Sequence, residues 1–195
     1  MFEAGGQVER AEGGLYYRIT VLTVTALSVG LAVSFAAIAF VESVAWLNDA
    51  LLISPRVRVQ YERVGWLVPA ATVLAPTAGG LLVGLLLTRL AVDRRPLGPP
   101  DVVRAVQLQQ PLPDVRSGIV STCAAAVSLG FGASVGQYGP MVYLGALVGD
   151  AIKRLRLRVA NLPAIGVACG VAAAISTAFN APIAGLVFAH EVVLR

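Results

Sequence analysis

The segment "GFGASVGQYGPMVYLGALVGD", from Gly130 to Asp150, sets glycine and proline breaks inside a stretch that carries no charged residue between Arg116 and Asp150. Gly136, Gln137, Tyr138, Gly139 and Pro140 stand together at its centre. A helix starting near Pro140 loses nothing by the missing proline N–H, because first-turn donors have no intrahelical partner. Held at the middle of an apolar layer, that start offers free N–H groups and a positive dipole end to an anion. The phenol of Tyr138, with an ordinary pKa of about 10, adds a neutral hydrogen-bond donor. This is binding chemistry rather than bond-breaking chemistry. No phosphate-cradling loop, metal-ligand cluster or nucleophile with its base is present, so the chain reads as neither an enzyme nor a metal or cofactor protein.

The elements that position these residues belong to a membrane. Of 195 residues, 57% are hydrophobic and 13% charged, with a mean hydropathy of +0.78, far from the balance of a soluble domain. The net charge of +4 comes from Lys and Arg placed between apolar blocks, where they set topology. No basic patch is interleaved with aromatics, which excludes a nucleic-acid partner. Cys123 and Cys169 lie in apolar segments without metal-ligand spacing and read as small buried hydrophobes. The opening "MFEAGGQVERAEGGLYYR" is polar and acidic, unlike a cleaved leader. The first apolar block therefore stays in the protein, and a bacterial-type inner membrane is its simplest destination.

Residues 1–18 form a polar N-terminal segment, and 19–195 a transmembrane domain. Ile19 to Val41 is uncharged over about 23 residues, enough at ~1.5 Å per residue to cross a ~30 Å hydrocarbon core. Glu42 to Gly65 reads as an interfacial connection, with Trp46, Tyr61 and Trp66 near the headgroups. Leu67 to Leu87 is the second span, and the small residues of its "PTAGGLLVG" supply a packing face. Arg89 to Arg116 reads as a mixed loop, and "KRLRLR" from Lys153 to Arg158 as a solvated loop touching lipid headgroups. Two full spans need about 40 residues, whereas Ser117 to Gly149 supplies about 33. Two half-helices are expected instead, the first ending near Leu129 and the second beginning near Pro140. Irregular backbone at that depth must be buried in protein or line a wet cavity, and broken helices mark substrate sites in transporters. The last apolar segment is interrupted again at Asn180, Ala181 and Pro182, before a short helix running into His190 and Glu191.

At these residues the chain resembles the CLC chloride channels and chloride/proton antiporters. "GASVGQYGPMVYLGALVGD" is similar to the family's Gly-Arg-Glu-Gly-Pro signature and following helix, keeping Gly136, Gly139 and Pro140 in register. "GVACGVAAAISTAFNAPIAGLVFAHEVV" is similar to its alanine-rich helix and Phe-Asn-Ala-Pro turn, and "LGPPDV" is a weaker match. The resemblance implies an all-α polytopic membrane protein, in which this chain is the N-terminal one of two inverted repeats with broken and re-entrant helices. It implies a dimer with an anion pathway in each subunit, chloride being the transported ligand and membrane lipid the surroundings. It also predicts a second half beyond Arg195. The sequence is then either a fragment or truncated product, or one of two copies that assemble in opposite orientations.

Carried over residue by residue, the resemblance places the backbone donors after Gly136, including those of Met141 and Val142, at the anion-coordinating helix start. Tyr138 stands at the position of the gating glutamate and Gln137 at that of an arginine. Gly98 and Pro100 match a second pathway motif in which Asp101 replaces a glutamate and Leu97 a chloride-binding serine. Glu191 matches the first acid of a Glu-Glu pair, and Val192 takes the place of the proton-transferring second. These replacements point to passive anion conduction in place of proton-coupled exchange. A non-conducting assembly subunit or remnant, and an antiporter fragment, are the alternatives. Tyr143 reads as packing, and His190 as a hydrogen-bonded structural residue beside Glu191.

Overall fold

A chain this apolar must satisfy its backbone internally, and helices do so within one segment. The computed structural model describes residues 3–51, 67–155 and 161–194, and among these every regular element is a helix. The all-α expectation is met, and three helices among the described residues are long and apolar enough to cross a membrane.

The first, α1, runs from Glu3 to Leu51, 49 residues. The expected span over 19–41 lies within it; residues 3–18 and 42–51 continue the same helix, and the rest of the expected connection, 52–65, lies outside the described residues. The sequence permits this: Glu, Ala, Gln and Arg favour a helix against four glycines that do not, and the chain reaches no proline until Pro55. Trp46, which is 70% exposed, therefore sits on the last turns of α1, while Tyr61 and Trp66 lie outside the described residues. Thr25, Val29, Val33, Ala37 and Phe40 are buried along one stripe, at the three- and four-residue spacing of a helix face. Leu27, Leu31 and Phe35 are exposed on the opposite face, as a lipid-facing surface is.

The second span is α2, Leu67–Leu90, with Pro76 inside. It packs chiefly on one neighbour, α4 (Val115–Gly130). Of the small residues expected to form its packing face, only Gly79 does so: a side chain there would collide with Phe131, whereas Gly80 and Gly84 face open space. The stretch read as a mixed loop contains a short helix, α3, Pro99–Gln107, with Pro99 and Pro100 in its first turn. Proline is tolerated there because its missing N–H had no partner to lose.

The two half-helices are α4 and α5, Tyr138–Asp150, with 16 and 13 residues, about 24 Å and about 20 Å long. Both fall short of a bilayer core. The break between them turns on Gly132 and Gly136, whose φ values of 88° and 75° lie in the region glycine enters without steric cost. After a 3-10 turn at Ala151–Leu155, α6 covers Leu162–Phe179. Asn180, at φ 51°, ends it in a left-handed cap. Next come α7, Pro182–Phe188, and a π-turn, Ala189–Val193. Cys123 is exposed on α4 and not buried as expected, while Cys169 is half-buried on α6.

The core is the antiparallel crossing of α5 and α6, the most extensive contact in the chain. A Cβ on Gly145 would strike the Gly170 carbonyl and one on Gly149 the Gly166 carbonyl, with the reciprocal clashes from Gly166 and Gly170. Two Gly-xxx-Gly pairs thus bring backbone onto backbone, the close approach that packs helices in lipid. Val142, Tyr143, Ala146, Val167 and Val171 fill the space around the crossing. The buried stripe of α1 packs on α6, where Ser34 and Thr177 share a hydrogen bond of 3.2 Å.

Gly170→Ala should destabilise the fold by about 1–3 kcal/mol through overpacking against backbone that cannot yield. Gly80→Ala, in open space, should be neutral or stabilising by up to about 1 kcal/mol. Denaturation of the two variants in detergent, followed by helical circular dichroism, checks the difference.

Candidate functional site

The expected helix start lies two residues ahead of Pro140: Gln137 precedes the helix and Tyr138 is its first residue. Gln137 makes no side-chain cap, so the first-turn N–H groups of Tyr138 and Gly139 are free. Pro140 follows with no donor to satisfy. The Met141 N–H donates to the Gln137 carbonyl at 3.3 Å, and Val142 lies further into the ladder. These two donors were expected at the anion and are instead held in the helix, because it begins earlier than Pro140. The side chains of Met141 and Val142 are buried, each 1% exposed.

The Tyr138 ring is half-buried between the last residues of two other helices. Phe179, ending α6, lies 6.1 Å away and tilted, and Phe188, ending α7, lies 5.9 Å away and edge-on. Both separations suit favourable aromatic pairs. Because α6 and α7 meet at the Asn180–Pro182 break, the second helix interruption positions the aromatic side chain of the first. Tyr143, five residues on, is 0% exposed, and its hydroxyl has no hydrogen-bond partner. It packs, as expected.

The start of α3 meets the start of α5: a Cβ on Gly139 would come 3.6 Å from Pro99 Cδ. Pro99, Pro100, Tyr138, Phe188 and Val192 line one groove of about 530 Å³, so Pro100 and Tyr138 share it. Gly98 is committed locally, its N–H donating to Asp101 Oδ2 at 2.9 Å. Asp101 is also paired with Arg95, 2.7 Å from Nη2 to Oδ1. Burial pushes the Asp101 carboxyl up, but hydrogen bonds from Arg95 and the Gly98 N–H, and the charges of Arg95 and Arg104, outweigh it and hold the group below its ordinary value. The same hydrogen bond, aided by the Asp101 charge, raises Arg95.

Leu97 is buried, and its backbone is held by a residue that sequence reasoning passed over. The Leu97 N–H donates to Ser121 Oγ at 2.6 Å, and Ser121 donates back to the Leu97 carbonyl at 3.4 Å. One turn earlier Ser117 Oγ accepts from the Val92 N–H at 3.1 Å. Two serines four residues apart on an apolar helix are the signal for this stitch, which fastens the α2–α3 connection to α4. Glu191 and His190 are exposed in the π-turn, and neither side chain makes a hydrogen bond or ion pair among the described residues. His190 is therefore not the hydrogen-bonded residue expected, because the π-turn directs it outward.

Apolar helices long enough to cross a membrane, with a glycine break between two short ones, define an α-helical membrane domain among the described residues. The model for the family described as voltage gated chloride channel matches residues 79–195. The chain belongs to this voltage-gated chloride channel family. It is 40% identical over 128 residues to a putative chloride channel protein ClcB-like from Ralstonia nicotianae, covering 63% of this chain and 30% of that protein. It is 30% identical over 187 residues to the voltage-gated ClC-type chloride channel ClcB of Escherichia coli K12, covering 91% of this chain and 41% of the relative. A ClcB from Yersinia pseudotuberculosis is 33% identical over 121 residues, 61% of this chain and 29% of its own length. The chain thus spans less than half the length of these relatives.

Two outcomes test this local geometry. Asp101 contributes stability that is fully present above its unfolded pKa of about 3.9 and lost as pH falls through its lower folded value. Acid unfolding of Asp101→Asn should therefore lack a step that the native chain shows below about pH 4. Tyr143→Phe removes a buried hydroxyl without a partner and should be neutral or stabilising by about 1 kcal/mol, read by thermal unfolding in detergent.

Proposed function

We propose that this chain forms one side of a CLC-type anion pathway and passes chloride or a related small anion passively, with Tyr138 at the gate position. The observation that carries the reading is the start of α5, where Tyr138 and Gly139 have free backbone donors beside a hydroxyl-bearing ring. An anion there meets a helix N-terminus and a phenol, both donors. Near pH 7 a phenol stays protonated, so it donates to an anion but does not compete with it as a carboxylate does. Val192, at the second acid position, cannot carry a proton, and Glu191 is exposed. Both features favour conduction over coupled exchange. The names of the relatives, chloride channels in each case, agree with the anion. A bacterial inner membrane and a homodimer, each pathway completed by a further half or by a second copy, belong to this proposal.

A second reading, a non-conducting assembly subunit, is favoured by one specific feature. Leu97 replaces a hydroxyl ligand, and the Gly98 N–H is already taken by Asp101. Proteoliposomes loaded with chloride, with anion efflux and proton uptake recorded together, separate the readings. The expected result is anion efflux without stoichiometric proton movement. Coupled protons indicate an antiporter, and absence of flux favours the assembly role. Tyr138→Glu should make the efflux fall in a pH-dependent way, and an unchanged pH response removes Tyr138 from the gate.

A further inference from the structure

A cavity of about 460 Å³ opens at the far end of α5 from Tyr138, where α3 and α5 finish and α6 begins. Its polar groups are Gln109 and Gln110 after α3, Asp150 at the end of α5, and Asn161 ahead of α6. The helix α6 is long and apolar enough to cross a membrane, and its 18 residues cover about 27 Å. That nearly fills a ~30 Å hydrocarbon core, so Asn161 stands at headgroup depth. The apolar wall formed by Val167 lies about 9 Å further along the α6 axis. Polar groups at the surface and apolar groups below them suit an amphiphile.

Two of the amides sit where the backbone would accept glycine more readily. Gln109 and Asn161 have φ values of 51° and 57°. The Gln109 N–H donates to the Val106 carbonyl at 3.2 Å and the Gln110 N–H to the Ala105 carbonyl at 2.8 Å, a helix-ending turn in which glycine is usual. Asn161 precedes α6 but makes no side-chain cap. Among the described residues none of the amides of Gln109, Gln110 and Asn161 is hydrogen-bonded. The buried Asp150 carboxylate is paired with Lys153. Arg154, exposed on the same 3-10 turn, makes no ion pair among the described residues. These three side chains leave a surplus of one positive charge, and Arg156 and Arg158 follow in the sequence.

We infer that this cavity is a discrete site for the headgroup of phosphatidylglycerol. Lys153 and Arg154 hold the phosphodiester, while Gln109, Gln110 and Asn161 hold the glycerol hydroxyls. The single negative charge of the phosphodiester matches the surplus positive charge. An ammonium has three donors, so Lys153 can serve Asp150 and a phosphate oxygen together. Amides donate and accept, as hydroxyls do. A headgroup ammonium gains little here, because Asp150 already has its partner. A free glycerophosphate carries the same polar groups but no chain for the apolar wall. The site does not depend on anion conduction.

The test is native mass spectrometry of the full chain in detergent, titrated with phosphatidylglycerol. One lipid should bind ahead of all further adducts. It should bind about three- to tenfold more tightly than phosphatidic acid, which has the phosphate without the glycerol hydroxyls. Gln109→Gly combined with Asn161→Gly should weaken phosphatidylglycerol about three- to tenfold. Glycine suits both positive-φ positions, so helical circular dichroism and thermal unfolding should show no loss of stability. Gln109→Asn keeps an amide at a φ that asparagine tolerates and should bind as the native chain does. Arg154→Gln should weaken both anionic lipids by a similar factor. Equal binding of phosphatidylglycerol and phosphatidic acid, or an unaltered titration for the double glycine variant, overturns the site and leaves a general contact with anionic surfaces. Tighter binding of phosphatidylethanolamine also overturns it. So does displacement of the lipid by soluble glycerol phosphate at matching concentration, which makes the ligand a free phosphate.

Discussion

Backbone-to-backbone contact between α5 and α6 is the constraint from which the rest of the chain follows. Gly145 and Gly149 face Gly170 and Gly166 in antiparallel register, and no side chain fits between them. In lipid the hydrophobic effect gives helices no reason to associate, so close packing must supply the attraction. That contact anchors α5, which is too short to span the core alone. With α6 at the centre, α1 lies on it through Ser34 and Thr177, and α7 folds back on it where a side chain at Gly185 would meet Ser176. Burial records the hierarchy: 44% of the apolar window of α6 is covered by the rest of the chain, against 6% for that of α2.

The site inherits its geometry from that crossing. Once α5 is fixed against α6, its first residue lies beside the end of α6, and Tyr138 meets Phe179 and Phe188. The α3 start reaches the same place by another route, through serines on α4 that hold the backbone of Val92 and Leu97. These two serine hydroxyls bond backbone, which satisfies a connection that would otherwise expose unpaired N–H groups.

The features legible in the sequence were those written by residues that interrupt a pattern. Gly132, Gly136 and Pro140 announced the break between α4 and α5, and Asn180 and Pro182 that between α6 and α7. Long uncharged runs announced the first two spans. Elements whose cause is tertiary or positional were harder to read. The α3 helix hides behind Pro99 and Pro100, which break a helix interior but suit its first turn. The ends of α1 were obscured by polar residues that also favour helix. The spacing of "GALVG" and "GVACG" was visible, yet nothing along the chain says that each is the other's partner. The same holds for Tyr138, whose aromatic neighbours lie about 40 and 50 residues away and meet it only after both breaks have formed.

The shortness of α4 and α5 also bears on biogenesis. A segment of 13 or 16 residues is a weak stop for a translocating chain, since a stable span takes about 20. The linker between them, with its positive-φ glycines, would expose bare backbone to lipid if the pair entered alone. The hairpin therefore depends on its neighbours for a lasting place in the bilayer, α5 on α6 across the glycine seam and α4 on α2 and α1.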